Sequence, residues 1–431
     1  MANEFALTAY PATAAPRLLP ALAFLALLLL VFVGLDAFSP PPLVAQFGGV
    51  EEASRGDLLR QIAYLGVGGL VVLAAMQRYG LGVLRAIPVS LGLLLCWCMA
   101  SALWAPETTI VLRRAVFETV IVVSLMLSVE TLGPERAFTL LRWVLAAVLV
   151  VNFLSIPLVA SARHGAGEID PGLVGDWRGL YGHKNIAGAV CAITAILFLF
   201  TRTGAKNWIG IGVALAACLF LAMTHSKSSA GFFVIALLAG LAYRIGWRDG
   251  LSRAILATLV TLSALALAAF VLLDVDTITR MLEDPAEFTG RAEIWAAELR
   301  YIANHPLLGA GFGTFTNTGS QSPLHNYVSG SWVDAVSHGH NGYLQVLVTI
   351  GGIGFVLTML AVVAGPLRRF WALDREGGGF RSLLFALFVF AILHNFMESD
   401  FLEGDGVTWS TLLLVIAALN SQRLRAALGF S

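Results

Sequence analysis

Apolar runs of about 20 residues, the length a helix needs to cross the hydrocarbon core of a bilayer, recur along the whole chain and alternate with short polar segments. The pattern predicts spans near 18–38, 58–77, 84–104, 110–129, 138–160, 185–201, 208–223, 229–246, 254–273, 341–364, 380–396 and 407–419. This is the signature of an all-α polytopic membrane protein with about twelve transmembrane helices. The first run follows Arg17 and shows no small-residue cleavage site before Glu51-Glu52, so a retained span is expected there rather than a leader. No short-period repeat, low-complexity tract or linker divides residues 1–431, and a single membrane domain is expected.

Basic residues in the short loops sort onto alternate span ends. Arg17, Arg78, Arg85, Arg136, Arg142, Arg202, Lys206, Arg244, Arg248, Arg253, Arg368, Arg369, Arg375, Arg381, Arg423 and Arg425 fall on one side, which the positive-inside rule makes cytoplasmic together with both termini. Two longer loops, 161–184 and 274–340, then face outward into the periplasm. The second far exceeds the usual connection length, so function is expected in it. Inside it, Thr289-Gly290-Arg291 opens a helical pattern with Ile294, Trp295, Leu299 and Ile302 on one face, and Asn304-His305-Pro306 stops it. A short amphipathic helix is predicted. The glycine-rich stretch 307–315 suits a tight backbone passage, but no Gly-Lys-Ser/Thr follows to make it a phosphate loop.

Composition narrows the function classes. Hydrophobic residues make up 58% and charged residues 13%, against roughly 25% charge in soluble domains, which excludes an ordinary soluble enzyme. Lys plus Arg equals Asp plus Glu, 27 against 27, so no basic platform for a nucleic acid is implied. Cys96, Cys98, Cys191 and Cys218 all sit in apolar runs, where neither a disulfide framework nor a zinc cluster is indicated. No cofactor and no metal are expected.

Polar groups at the outer ends of the spans are the candidates for chemistry. Arg178 precedes Gly179-Leu180-Tyr181-Gly182-His183-Lys184-Asn185 at the mouth of a span, where a helix N-terminus adds N–H donors and positive potential suited to phosphate. The competing reading is that Arg178 and Lys184 snorkel to headgroups while Asn185 caps the helix. Arg291 stands in a first helical turn, where a cation opposes the dipole and invites an anionic ligand; the competing reading is an ion pair with Glu293, Glu287 or Asp284. Of Arg113 and Arg114, one could pair with Glu118 or Glu107 and the other face a cavity. Ser337-His338-Gly339-His340-Asn341 lies where the large loop re-enters the membrane. Histidine as a residue type changes charge near neutral pH, which makes His340 a candidate base for a sugar hydroxyl. A metal pair of His338 and His340 joined by His325, or a capping histidine, are the alternatives.

His340-Asn341, nine further residues, then Gly351 and Gly354 resemble the His-Asn-x9-Gly-x-x-Gly pattern of the O-antigen ligase and polymerase superfamily. The resemblance extends to Arg178 through Asn185, to Gly290-Arg291 with Trp295, to His305-Pro306-Leu-Leu-Gly-Ala-Gly-Phe-Gly, and to Leu393-His394-Asn395 with Glu398 and Ser399. The N-terminal third is similar chiefly through Ser101-Ala-Leu-Trp-Ala-Pro106 and the arginines after it.

Such a resemblance implies a GT-C-like glycosyltransferase of the bacterial inner membrane. It would take a glycan from an undecaprenyl-pyrophosphate carrier, without a nucleotide sugar, and join it to a glycan or lipid A core acceptor on the periplasmic side. His183-Lys184-Asn185 is more similar to exopolysaccharide polymerases than to lipid A core ligases. On this view Arg178 and Arg291 neutralise the departing phosphates, and His340 takes the proton of the acceptor. Asn341, His183, Lys184, Asn185, Arg113, Arg114 and His338 would bind substrate among the membrane lipids. A lipid-linked glycan flippase or secondary transporter is the rival class. It should place ionisable groups near the bilayer midplane, where Glu118 and Arg142 are the nearest candidates.

Overall fold

The computed structural model describes residues 18–39, 58–166, 171–201, 208–246, 291–316, 318, 322–328, 339–372 and 378–421. Among them the regular structure is helical, with one isolated β-bridge between Arg163 and Trp177. The α-helices are α1 (Leu18–Phe32), α2 (Leu58–Tyr79), α3 (Val89–Ala100), α4 (Thr108–Leu132), α5 (Pro134–Leu158), α6 (Lys184–Phe200) and α7 (Trp208–Met223). They continue as α8 (Lys227–Gly246), α9 (Arg291–Asn304), α10 (Gly342–Met359), α11 (Gly365–Ala372), α12 (Gly378–His394) and α13 (Val407–Asn420).

Among the described residues, Leu58–Ala86, Pro134–Leu158 and Gly342–Ala372 are long and apolar enough to cross a membrane. Shorter apolar helices, including Lys184–Phe200, Trp208–Met223 and Val407–Asn420, stand beside them. The expected span at 254–273 and much of the expected loop 274–340 lie outside the described residues. A helix is present at the expected place as α9, but it turns Ala292, Ile294, Ala297, Glu298 and Tyr301 inward and leaves Leu299 of the expected apolar face exposed.

Most of the helices pack around one large apolar core, with smaller clusters beneath α9 and between α1, α2 and α4. α12 lies along α8, α6 along α7, α4 between α2 and α13, and α3 against α10. α5 starts abruptly: Gly133 adopts φ +89° and Pro134 follows at the first helical position, where its missing N–H costs nothing. α6 and α13 are buried on nearly all sides, so their side chains form the centre of the bundle.

The span expected at 341–364 is not one straight helix. At Gly351 (φ +68°, ψ −174°) α10 leaves helical geometry, and a β-carbon there would overlap the Leu307 carbonyl. A broken helix exposes carbonyls that must find donors away from water. The glycine-rich stretch supplies them: Ala310 N donates to Val348 O and Gly311 N to Thr349 O, both at 2.8 Å. In return Gly352 N donates to Pro306 O at 2.8 Å and Ile353 N to Leu307 O at 3.3 Å. Trp97 Nε1 donates to Ile350 O at 3.0 Å and Trp104 Nε1 to Leu308 O at 3.1 Å, so α3 and the turn after it clamp the same junction. The break therefore fixes the loop that carries α9 against the helix that begins at Asn341.

Candidate active site

The candidate residues collect where α6, α9 and α10 begin and α12 ends. Glu398, in the turn between α12 and α13, is their meeting point. Its Oε1 accepts from Asn185 Nδ2 at 2.7 Å and from Arg291 Nη2 at 3.1 Å, and its Oε2 lies 3.2 Å from His340 Nδ1. Burial by itself would push this carboxyl up, yet His340, Arg291 and His394 outweigh it and hold the group well below the ordinary carboxylate range. Arg291 also donates from Nη1 to Met397 O at 2.6 Å. Arg291 thus pairs with an acid about a hundred residues away in sequence; of its expected local partners, Glu287 and Asp284 lie outside the described residues.

His340 sits in the left-handed region at φ +54°, a conformation that a non-glycine residue keeps only when its surroundings impose it. Those surroundings are visible on both sides. Gly339 N donates to Gln345 Oε1 at 3.2 Å, and its carbonyl accepts from Trp295 Nε1 of α9 at 2.7 Å. Asn341 caps α10: its Oδ1 accepts from the amides of Tyr343 and Leu344, each at 3.1 Å. The Asn341 amide donates to Ser399 Oγ at 3.0 Å, and that of Gly342 to Asn395 O and Glu398 O. A β-carbon at Gly342 would overlap the Asn395 side chain, which explains the small residue after the cap. With its side chain 29% exposed, the His340 ring is reachable from outside.

The segment before α6 is built inward. His183 caps α6 by accepting from Asn185 N at 3.2 Å through Nδ1. Burial pulls its pKa down to about 4, so the ring is neutral and keeps the lone pair the cap needs. Lys184 Nζ pairs with Asp176 Oδ2 at 2.6 Å, and His225 Nδ1 meets the other oxygen at 2.5 Å. Burial raises Asp176, but the bonds from Lys184 and His225 prevail and keep it below its ordinary value. Arg178 is only 1% exposed; its Nε donates to Ser161 O at 2.6 Å and its Nη1 to Gly182 O at 2.9 Å. The structure thus places Arg178 beneath the loop, where it ties two turns together.

Arg113 and Arg114 line a separate cavity of about 290 Å³ with Arg60, Phe117, Gln345 and Glu403. Arg114 donates to Gly313 O, and Arg60 pairs with Asp405, which also accepts from Tyr64 Oη at 2.8 Å. Glu118 accepts from Gly404 N and Trp409 Nε1, at 2.9 and 2.7 Å. Arg113 forms neither a hydrogen bond nor an ion pair among the described residues, so one arginine of the pair faces the cavity uncommitted. Burial pushes Glu403 up to about 7. Gln345 joins this cavity to the His340 turn, since it lines one and holds Gly339 of the other.

His338 lies outside the described residues. Among the described residues no three His, Cys, Asp or Glu side chains are grouped as metal ligands would be. Two acidic groups received no role in the sequence reading. Glu398 enters it only beside Leu393-His394-Asn395, yet Asn185, Arg291 and His340 from three separate segments converge on it. Glu298 is fully buried on α9, with both carboxyl oxygens unpartnered among the described residues and packed against Gly339.

Comparison with known families bears on this cluster directly. Residues 211–359 match a family model described as O-antigen ligase. This part of the chain is similar to the O-antigen ligase family. No curated protein matches the chain. The O-antigen ligase match covers about a third of the sequence, from α7 through the broken α10, and contains Arg291, His340, Asn341, Gly351 and Gly354. The residues that complete the cluster, Asn185 and Glu398, come from outside it.

Proposed function

We propose that the protein is a membrane glycosyltransferase that moves a glycan from an undecaprenyl-pyrophosphate carrier onto an acceptor sugar at the periplasmic face of the bacterial inner membrane. The similarity of residues 211–359 to the O-antigen ligase family supports a glycan-transfer enzyme in general terms. The observation that carries the finer reading is the convergence of His340, Arg291 and Asn185 on the buried Glu398.

In the neutral tautomer that donates Nδ1–H to Glu398, the lone pair of the His340 ring lies on Nε2. That nitrogen accepts the proton of the acceptor hydroxyl as its oxygen attacks the anomeric carbon. The bond from that carbon to the phosphate oxygen breaks, and undecaprenyl pyrophosphate leaves with the electron pair. One direct displacement inverts the anomeric centre. A positioned base contributes about 10²–10⁴-fold, and the carboxylate behind the ring fixes its tautomer and stabilises the imidazolium that forms.

Charge on the departing pyrophosphate is met by arginine, whose planar donors match phosphate oxygens without a metal. Arg291 stands beside the base, and Arg113 offers an uncommitted guanidinium in the adjoining cavity, backed by Arg114 and Arg60. Arg178 and Lys184 act as positioning residues in this scheme, and Asn341 orients the His340 turn.

The test is glycan transfer in vitro by the purified full chain, with the host's lipid-linked oligosaccharide as donor and lipid A core added or omitted. A sugar ladder without core identifies a polymerase, and a single shifted glycolipid identifies a ligase. The His340→Ala variant should lose activity in either case. Donor left intact by the wild-type protein under both conditions would overturn the proposal.

A further inference from the structure

The far end of the bundle holds a second cationic cavity. α6 starts in the candidate active site and runs 17 residues away from it, a distance of about 25 Å at 1.5 Å per residue. There the C-terminal ends of α6 and α8 meet the N-terminal ends of α5 and α12 around a cavity of about 470 Å³. Its walls include Phe138, Phe200 and Phe380, and two arginines enter it, Arg142 from α5 and Arg244 from α8.

Arg142 is the unusual member. It is only 7% exposed, its guanidinium lies over the rings of Trp143 and Phe198 at 5.3 and 5.5 Å, and its Nε has no hydrogen-bond partner among the described residues. A lipid-facing arginine near a span end would extend to the interface and stay hydrated. Arg142 is instead enclosed by protein, where an unpaired cation is unfavourable until an anion joins it. Arg244, exposed in the last turn of α8, also makes no ion pair among the described residues. Glu135 lines the same cavity and pairs with neither arginine. The first amides of α12, at Gly379 and Phe380, add positive potential on the opposite wall.

We propose that this cavity binds a phosphate-bearing anion, with the phosphate held between Arg142 and Arg244. The space exceeds what a bare phosphate fills, and its aromatic walls suit the glycerol and first methylenes of a phospholipid. The site is separate from the transfer chemistry and does not depend on it.

The experiment uses the full chain purified in detergent and stripped of lipid. Retention of phosphatidylglycerol, diacylglycerol and inorganic phosphate is followed by native mass spectrometry and by the shift in melting temperature. Phosphatidylglycerol should bind and diacylglycerol should not, and Arg244→Gln and Arg142→Gln should each weaken phosphatidylglycerol about tenfold. Inorganic phosphate that displaces the lipid and raises the melting temperature identifies a site for the free anion as well. Phosphate without effect identifies a headgroup site that needs the glycerol. Equal binding of diacylglycerol, or unchanged phosphatidylglycerol retention in Arg244→Gln, overturns the proposal. Because Arg244 is exposed, that variant decides the matter even if Arg142→Gln fails to fold.

Discussion

Replacing Glu298 by glutamine should make the protein more stable in mild alkali while leaving it unchanged in acid. The carboxyl is fully buried on α9, without a hydrogen-bond partner among the described residues, and burial pushes its pKa from an ordinary 4.5 up to about 8. A group that holds its proton more tightly when folded gives its full contribution below the unfolded value, and native stability then falls as pH rises toward the folded value. Each pH step of one is worth about 1.4 kcal/mol. Between 4.5 and about 8 the loss therefore approaches about 5 kcal/mol, and by pH 7 it is already about 3 kcal/mol. Glutamine has nearly the same shape and no proton to lose. Melting temperatures of wild type and Glu298→Gln, recorded in one detergent from pH 4.5 to 8.5, should coincide at the acid end and separate steadily in favour of the variant. Glu298 packs against Gly339, next to His340, so the wild type should also lose transfer activity above about pH 8 while the variant retains it. Parallel melting curves across the whole range would refute the reasoning.

Other expectations follow from the same contacts. Glu398→Gln keeps the size of the side chain but removes two charge-assisted partners, so kcat should fall tenfold or more, equivalent to about 1.5–3 kcal/mol. The folded pKa of Glu398 lies below its ordinary value, so its stabilising contribution is present above about pH 4.5 and lost on acidification; acid melts of the wild type should steepen relative to the variant. Gly351→Ala forces a β-carbon onto the Leu307 carbonyl at a positive φ, and should lower stability by about 2 kcal/mol or more in a thermal melt. Arg113→Ala should raise KM for the lipid-linked donor about tenfold with an unchanged melting temperature, since no internal bond of Arg113 is lost.

The helical membrane character was readable because apolar runs of bilayer length are a strong signal, and α9 was readable as a helix bounded by Gly290 and Pro306, although the face it buries runs through Ala297 and Glu298 and leaves Leu299 exposed. His340, Arg291 and Asn185 were picked from their chemistry and their place at span ends, and the fold brings all three to one carboxylate. Two features resisted such reading. Gly351 lies in an apolar run where glycine is tolerated within membrane helices, so nothing local distinguishes a break from a continuous span; the partner that permits the break sits some forty residues earlier, at 306–311. The burial of Arg178 is likewise invisible, because an arginine in a polar loop reads as exposed until its carbonyl partners at Ser161 and Gly182 are known.

The bonds between 306–311 and 348–353 join backbone to backbone. Their requirement is therefore for spacing and for room, at Gly309 and Gly351, rather than for particular side chains. Substitution of Leu307 or Leu308, both exposed, leaves every one of these bonds possible. Insertion or deletion of a single residue in either segment shifts the pairing and strands carbonyls in an apolar setting. The broken helix and the segment at 306–311 are thus locked in length to each other, and this part of the chain can change its letters far more easily than its count.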